Sequence, residues 1–458
     1  MKKTIIITAI ILALSILTHF AFFGHPNETV FDEVHFGKFI SGYLNHKYFF
    51  DIHPPLGKLM IAFVAKISGF KTGFDFKEIG EKYPDNYYLW LRLLPIIFGT
   101  LLPPLIFFLA RELRLSLLAS FAAALFIIFE NALLCQSLFI LLDSMLLFFG
   151  FLGLLLYLIS KRKKSIWIFV LAVVSLSFSL SIKWTGLSFL GLVLIMEIAS
   201  VISRSLVAPI PRDDILRLYI KFVILIFLPI AIYFSVFFLH FAILNKSGEG
   251  DAFHSKKFQK TLINNNYQND ENVKSANIFE KFAELNLEMF RSNGRIKDDH
   301  PYDSKWYTWP MMAKPIYYWN SDEEASPAKI YLLGNPIIFW GSFLGLIILM
   351  LNCLFLFEKM RQKISAVFFI LVGFILNFIP FIFITRPMFL YHYLTALIFV
   401  ILALCLVVDL LKKRAKILIF VLILLLALAS FIFFSPLTYG LKLKPQSFQT
   451  RIWSTNWQ

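Results

Sequence analysis

Apolar runs recur from one end of the chain to the other, near residues 4–23, 91–110, 115–130, 138–160, 165–182, 184–202, 218–241, 333–356, 364–384, 391–411 and 417–435. Most approach the roughly 20 residues needed to cross a hydrocarbon layer, so the pattern predicts a bundle of about eleven transmembrane helices. The first run follows Met1, Lys2 and Lys3. It is longer than a signal-peptide core and has no small-residue cleavage pattern, which predicts an uncleaved helix. Alternate connections are short and basic: Arg111 to Arg114, Lys161 to Lys164, Arg204 to Arg217, Lys359 to Lys363 and Lys412 to Lys416. Positive-inside placement puts these, and the N-terminus, on the cytoplasmic side. The opposite connections are then extracytoplasmic, and two are long, 24–90 and 241–332. Long polar loops on one face can carry a reactive surface, whereas a transporter more often keeps short loops and its charges at mid-membrane.

Composition agrees with this picture. The chain is 58% hydrophobic and 16% charged, with 53 phenylalanines and a mean hydropathy of +0.72; an ordinary soluble enzyme is excluded. The formal charge of +15 follows from basic cytoplasmic loops and calls for no nucleic acid. Cys135, Cys353 and Cys405 lie in or beside apolar runs without pairing or CxxC spacing, so neither a disulfide framework nor a thiolate metal site is expected. With no HExxH, DxD or Cys/His cluster, no tightly bound metal or other cofactor is expected. Asn27 and Asn245 begin short sequons that are commonly fortuitous.

The first long loop carries the densest chemistry. FDEVHFGKFISGY, residues 31–43, sets Phe36, Phe39, Ile40 and Tyr43 at helical spacing behind Asp32 and Glu33, as in an amphipathic helix lying on a membrane. Asp32 is either a helix cap or a reactive carboxylate. DIHPPLGKLMIAFVAKISGF, residues 51–70, opens a second helix at Pro54 and Pro55, with an apolar stripe of Leu56, Leu59, Met60, Phe63, Val64 and Ile67 and with Lys58 off its centre. His53 precedes the two prolines in a stiff, extended segment. Arg92 opens the second span at headgroup level, as a snorkelling anchor or as a phosphate ligand.

Three further groups call for partners. Asp143, inside an apolar run, costs about 2.5–3.5 kcal/mol at a helix centre, which predicts a polar bundle interior and pairing with Arg92 or Lys183. Lys183 either snorkels or binds a ligand. His300, Lys305, Trp306 and Trp309 precede a return to the membrane and fit an interfacial aromatic belt or a substrate contact, and the turn from Arg386 to His392 joins two spans on the same side.

Taken in chain order, DEVHFGKF, HPPLGK, LLDSMLLFF (141–149), SIKWTGL (181–187), HPYDSKWYTWPMMAKPIYYW (300–319), GNPIIFW (334–340) and RPMFLYHYLTAL (386–397) resemble the protein O-mannosyltransferases over nearly the whole chain. The resemblance implies a GT-C fold: an all-α integral membrane protein formed by 1–458 as one domain, with amphipathic helices in its first loop and an extracytoplasmic active site. It further implies a polyprenyl or dolichyl phosphate mannose co-substrate and Ser/Thr acceptors on translocated proteins. The acidic pair that is catalytic in the family maps onto Asp32 and Glu33, and its arginine at the second span onto Arg92. The 241–332 loop is too short for the MIR domains of eukaryotic members, which suggests a prokaryotic plasma (inner) membrane, with the endoplasmic reticulum as the alternative. Thr395 stands where the family's pattern usually has proline, a change expected to straighten the last helices.

Sugar transfer from a lipid phosphate to a hydroxyl needs a base and positive charge for the leaving phosphate. Neighbouring helical residues point about 100° apart, so one of the acidic pair is expected to act: Asp32 as base, with Glu33 orienting peptide or a basic neighbour. One carboxylate working opposite the leaving group predicts inversion. Arg92 is the first expectation for the phosphate, then His53, Lys58 and Arg386, with Lys183, His300, Trp306, Trp309 and His392 as further substrate contacts. Membrane lipid, and a dimer or translocon association, complete the expected partners. The rival readings are a GT-C transferase acting on a glycolipid or cell-wall polymer, and a transporter or flippase.

Overall fold

The computed structural model describes residues 2–206, 211–295, 300–321, 327–355 and 363–457. Its helices are α1 (Lys2–Phe20), α2 (Glu33–Asn45), α3 (Leu56–Ile67), α4 (Tyr88–Glu112), α5 (Leu117–Ile128), α6 (Asn131–Leu138), α7 (Asp143–Lys163), α8 (Ile166–Ile182) and α9 (Leu187–Ser205). They continue as α10 (Arg212–Ile243), α11 (Lys256–Gln259), α12 (Ile278–Arg295), α13 (Pro336–Phe355), α14 (Ile364–Phe378), α15 (Leu394–Asp409), α16 (Lys413–Tyr439) and α17 (Pro445–Gln449). Among the described residues nine helices are long and apolar enough to cross a membrane, or ten when the bent pair α5 and α6 counts as one span.

The expectation of about eleven differs from this at two places. Helix α8 has 17 residues, and the run near 115–130 holds only the 12 residues of α5 before a 54° bend into α6. A buried acid makes the bend. Glu130 caps α6 by accepting from Ala132 N at 2.9 Å and also accepts from Asn335 N at 3.1 Å. Asn335, in GNPIIFW, returns its amide to Phe129 O and Ala427 O, both at 2.9 Å, tying the start of α13 to the bend and to α16. Continuous apolar character hides such a break, because the backbone groups it frees are satisfied by residues distant in sequence.

Helices α7 and α8 cross closely at Gly153, where an added Cβ would lie 2.5 Å from Leu176 and 3.0 Å from the Ala172 carbonyl. The described parts of the basic connections gather at one end of the bundle. There Arg162 Nη2 pairs with Glu112 at 2.8 Å, Asp409 accepts from Ser116 N at 2.9 Å and from Lys416 Nζ at 2.7 Å, and Glu197 receives Tyr157 at 2.8 Å and Lys221 at 3.1 Å. The long connections occupy the opposite end and pack on one another: Tyr48 OH meets His254 Nε2 at 2.8 Å, and Lys246 bridges Lys47 to Ile263. A small antiparallel strand pair, β1 (Ile316–Asn320) with β2 (Lys329–Leu332), joins this end of the otherwise helical fold.

Helix α2 buries Phe36, Ile40 and Tyr43 of its apolar face, with Phe39 half-buried, and buries Glu33 and Gly37 besides. Helix α3 divides its expected stripe between the interior and the outside. Lys58, Leu59, Ile61, Ala62 and Ala65 face inward while Phe63 and Ile67 are 65% and 69% exposed. At a membrane surface the most apolar face meets lipid, and the inner face takes small and charged residues. Thr395 lies in the first turn of α15, where proline is tolerated, so exchanging the two leaves the helix axis alone.

Candidate active site

The acidic pair at the head of α2 divides into two environments. Glu33 is fully buried and every lone-pair direction is taken: Arg92 Nε and Nη2 donate to its two oxygens at 2.7 Å each, Val30 N and Ile140 N at 2.9 Å, and Tyr83 OH at 3.2 Å. Arg92, also fully buried, spends its remaining donors on the carbonyls of Gly24 at 3.2 Å, Pro26 at 2.7 Å and Glu28 at 2.8 Å. Gly24 can present that carbonyl because it adopts φ +90° and leaves no room for a Cβ, 2.4 Å from Leu89. Two sequence expectations change here. Glu33 has no free oxygen with which to act on a substrate, and Arg92 has no donor left for a phosphate. Together they clamp the first loop to the second span.

Asp32 occupies the N-cap position of α2, yet its side chain caps nothing and makes no hydrogen bond or ion pair among the described residues. Phe31 sets its direction: it adopts a left-handed φ of 48°, donates its N–H to Tyr318 O at 3.1 Å and stacks on the Tyr318 ring at 4.0 Å. Burial pushes the Asp32 carboxyl up to about 6, His35 and Lys183 pull it down, and Asp143 and Asp51 push it up. The group is therefore mostly ionised at neutral pH and more basic than an ordinary aspartate.

His53 stands before Pro54 with no side-chain hydrogen bond among the described residues. Burial, then Lys183, Lys58 and Arg386, hold its imidazole well below the usual histidine range, so it is neutral at pH 7. Lys58, expected at the phosphate, is almost wholly buried and committed: it pairs with Asp51 and donates to the carbonyls of His53 at 2.8 Å and Pro54 at 3.3 Å. Its role is to hold the HPP segment. Asp51, His53 and Lys58 line a small cavity with Phe237 and His240 of α10 and Leu285 and Met289 of α12.

Lys183, in the break between α8 and α9, grips both oxygens of Asp143 at 2.9 and 2.8 Å. The same carboxylate accepts from Gln136 at 2.7 Å, and Gln136 in turn accepts from Tyr318 OH at 2.5 Å. Asp143 thus pairs with Lys183 and not with Arg92. Lys183 also lies 5.3 Å from the Tyr391 ring. Arg386 is half-buried in the turn before α15, has no ion pair or hydrogen bond among the described residues, and lies within electrostatic reach of His53, Tyr391 and His392. Trp309 is buried, donates to Ser304 Oγ at 2.9 Å and stacks on His392 at 5.8 Å. His392 folds back on Phe389 O at 2.9 Å. His300 is exposed, edge-on to Phe389, and Trp306 packs on Phe378, so these two form the outer rim of the same turn.

The site thus gathers Asp32, His53, Lys183, Arg386, Tyr391 and His392, while Glu33, Arg92 and Lys58 support it. Sequence reasoning passed over Asp51, Gln136, Tyr318 and Tyr391. Asp51 was visible as the acid two residues before His53; the other three carry no charge that marks them within an apolar or aromatic run. Among the described residues no group of His, Cys, Asp and Glu is arranged to hold a metal ion.

The family profile described as dolichyl-phosphate-mannose-protein mannosyltransferase matches residues 9–245. A second profile, the C-terminal four TMM region of protein-O-mannosyltransferase, matches residues 278–457. The dolichyl-phosphate-mannose–protein mannosyltransferase 4 of Candida albicans is 39% identical over 264 residues, which cover 55% of this chain and 35% of that protein. The protein O-mannosyl-transferase 2 of Danio rerio is 35% identical over 58% of this chain and 36% of its own length. The match thus spans about a third of these relatives. In fold, the chain is similar to the Saccharomyces cerevisiae protein O-mannosyltransferase Pmt1-Pmt2 complex bound to the sugar donor, with a TM-score of 0.92, 20% identity and coverage of 100% of this chain and 93% of that one.

Proposed function

The chain belongs to the dolichyl-phosphate-mannose–protein mannosyltransferase family as a multi-pass membrane protein with a GT-C-like fold, and we propose that it moves mannose from a polyprenyl or dolichyl phosphate to Ser/Thr hydroxyls of translocated proteins. The observation that carries this reading is the carboxylate of Asp32, which has no hydrogen bond or ion pair among the described residues and lies within electrostatic reach of Lys183.

Asp32 removes the proton of the acceptor hydroxyl as the oxygen attacks the anomeric carbon, and the sugar–phosphate bond breaks on the opposite face. One carboxylate and one attacking oxygen give inversion. Arg386 is the phosphate ligand, because its guanidinium fork has no hydrogen-bond or ion-pair partner among the described residues and matches phosphate oxygens. Neutral His53 donates a hydrogen bond beside it. Lys183 supplies positive charge while Asp143 fixes its position, and such preorganised charge acts most strongly on a leaving group that gains negative charge. The loops 24–90 and 241–332 form the catalytic surface on the extracytoplasmic side of a plasma membrane, the N-terminus lies in the cytoplasm, and the enzyme works alone or as a dimer.

The test is transfer of labelled mannose from polyprenyl phosphate mannose to a Ser/Thr-rich peptide by membranes carrying the wild type or Asp32→Ala. Label on peptide that vanishes in the variant at equal expression supports both the acceptor and the base. Label that instead enters a lipid or polymer fraction removes the protein acceptor, and label that persists in Asp32→Ala removes the base.

A further inference from the structure

Helix α12 sits in the second long loop outside the proposed chemistry, and its surface is divided into three sectors. At 100° per residue, Phe279, Ala283, Leu287 and Phe290 fall within about 80° of one another, and Phe279, Leu287 and Phe290 are 68%, 47% and 69% exposed. Next to them comes a polar edge of Glu280, Glu284, Arg291 and Arg295. The remaining side is turned inward and holds Lys281, Leu285, Glu288 and Met289, all buried. A helix in contact with water alone has no use for three exposed large apolar side chains in one stripe.

Its neighbours give the depth. Phe279 stacks on Phe234 of α10 at 5.3 Å, and Phe282 meets Phe234 at 5.2 Å and Phe237 at 5.3 Å. Asn286 accepts from Tyr233 OH at 2.7 Å, and Tyr233 in turn accepts from Trp184 Nε1 at 2.8 Å. Phe234 lies nine residues before the end of the spanning helix at Ile243, which is about 13 Å of rise. The start of α12 therefore runs beside apolar turns of the spanning helix α10. The exposed Ile230 and Phe238 of α10 continue the same apolar surface.

We propose that α12 is a membrane-inserted helix: its Phe279–Leu287–Phe290 stripe lies in the lipid of the leaflet on the active side, and its polar edge faces water, where Ser255 ties Glu284 through N and Oγ at 2.5 and 2.8 Å. Its inner face, through Leu285 and Met289, walls the cavity that holds Asp51, His53 and Lys58. The partner is the bilayer itself, at the interface depth where amphipathic helices with large apolar residues settle.

The experiment attaches a nitroxide at Phe279→Cys, Leu287→Cys, Phe290→Cys and, on the polar edge, Arg291→Cys, each in the full chain with Cys353→Ser, reconstituted in phosphatidylcholine–phosphatidylglycerol nanodiscs. Collision with oxygen is compared with collision with a water-soluble nickel chelate. Oxygen exceeds the chelate at 279, 287 and 290, most at 279, and the order reverses at 291. Chelate access along the stripe overturns the proposal by placing it in water. Exclusion of both reagents, with spin–spin broadening, overturns it in favour of a second copy of the chain. Three stripe positions keep the test open if one variant fails to fold.

Discussion

Two sets of charged side chains meet at the first loop and are built on opposite rules. Around Glu33 and Arg92 every donor meets an acceptor: the carboxylate takes five hydrogen bonds and the guanidinium spends itself on that carboxylate and three carbonyls. Around Asp32, His53 and Arg386, side chains of the same chemistry have no partners among the described residues. A satisfied buried network fixes geometry and has nothing left to offer a ligand, while an unsatisfied one held in place by its surroundings is ready to bind. The closed cluster aims the open one, since Glu33 and Asp32 are consecutive and anchoring the first sets the direction of the second.

The sharpest way to break this contrast is to exchange the roles by mutation. Asp32→Asn keeps the shape and removes the base; mannose transfer falls by about 10²–10⁴-fold, with the thermal unfolding of the purified protein unchanged. Arg92→Ala acts on the other side. Leaving Glu33 buried without its partner costs about 3–5 kcal/mol of stability, seen as lost yield and a lower unfolding temperature in detergent. An Arg92→Ala protein that folds normally and only raises the KM for donor would return Arg92 to the phosphate and dissolve the distinction.

Arg386→Ala tests the open cluster at the leaving group. Removing one preorganised donor costs about 10²–10³-fold in transfer, and Arg386→Lys restores part of it, because a point charge replaces the fork without its two-pronged geometry. Normal folding with normal transfer in Arg386→Ala would show that the phosphate is held elsewhere.

How much of this the sequence carried depends on what each residue signals locally. The spans and the two long loops were legible because their lengths follow from the thickness of a membrane. Asp32 was legible as a candidate, one of an adjacent acidic pair whose side chains point about 100° apart. The closure of Glu33 on Arg92 was not, because its partners come from positions up to 107 residues away. Arg92 and Arg386 look alike in sequence, each a basic residue where a span meets polar loop, and only the count of committed donors separates them. The α3 stripe left its facing open for a different reason: in a membrane protein, a row of large apolar residues marks lipid as readily as core.

The smallest effect gives the finest test, since it concerns how the neighbours set Asp32. Transfer requires the ionised carboxylate, so kcat/KM is expected to fall as pH drops through about 6, where burial places this group. Asp143 pushes the Asp32 carboxyl up and Lys183 pulls it down. Asp143→Asn removes the first influence and leaves Lys183 charged without its counter-ion, so both changes favour the ionised base and the acid limb moves to lower pH. Lys183→Met removes the cation and leaves Asp143 facing Asp32, and the limb moves to higher pH. The two variants, each measured in residual rate against pH, therefore shift in opposite directions although they break the same ion pair. A merely structural pair would lower the rate in both and move the limb in neither.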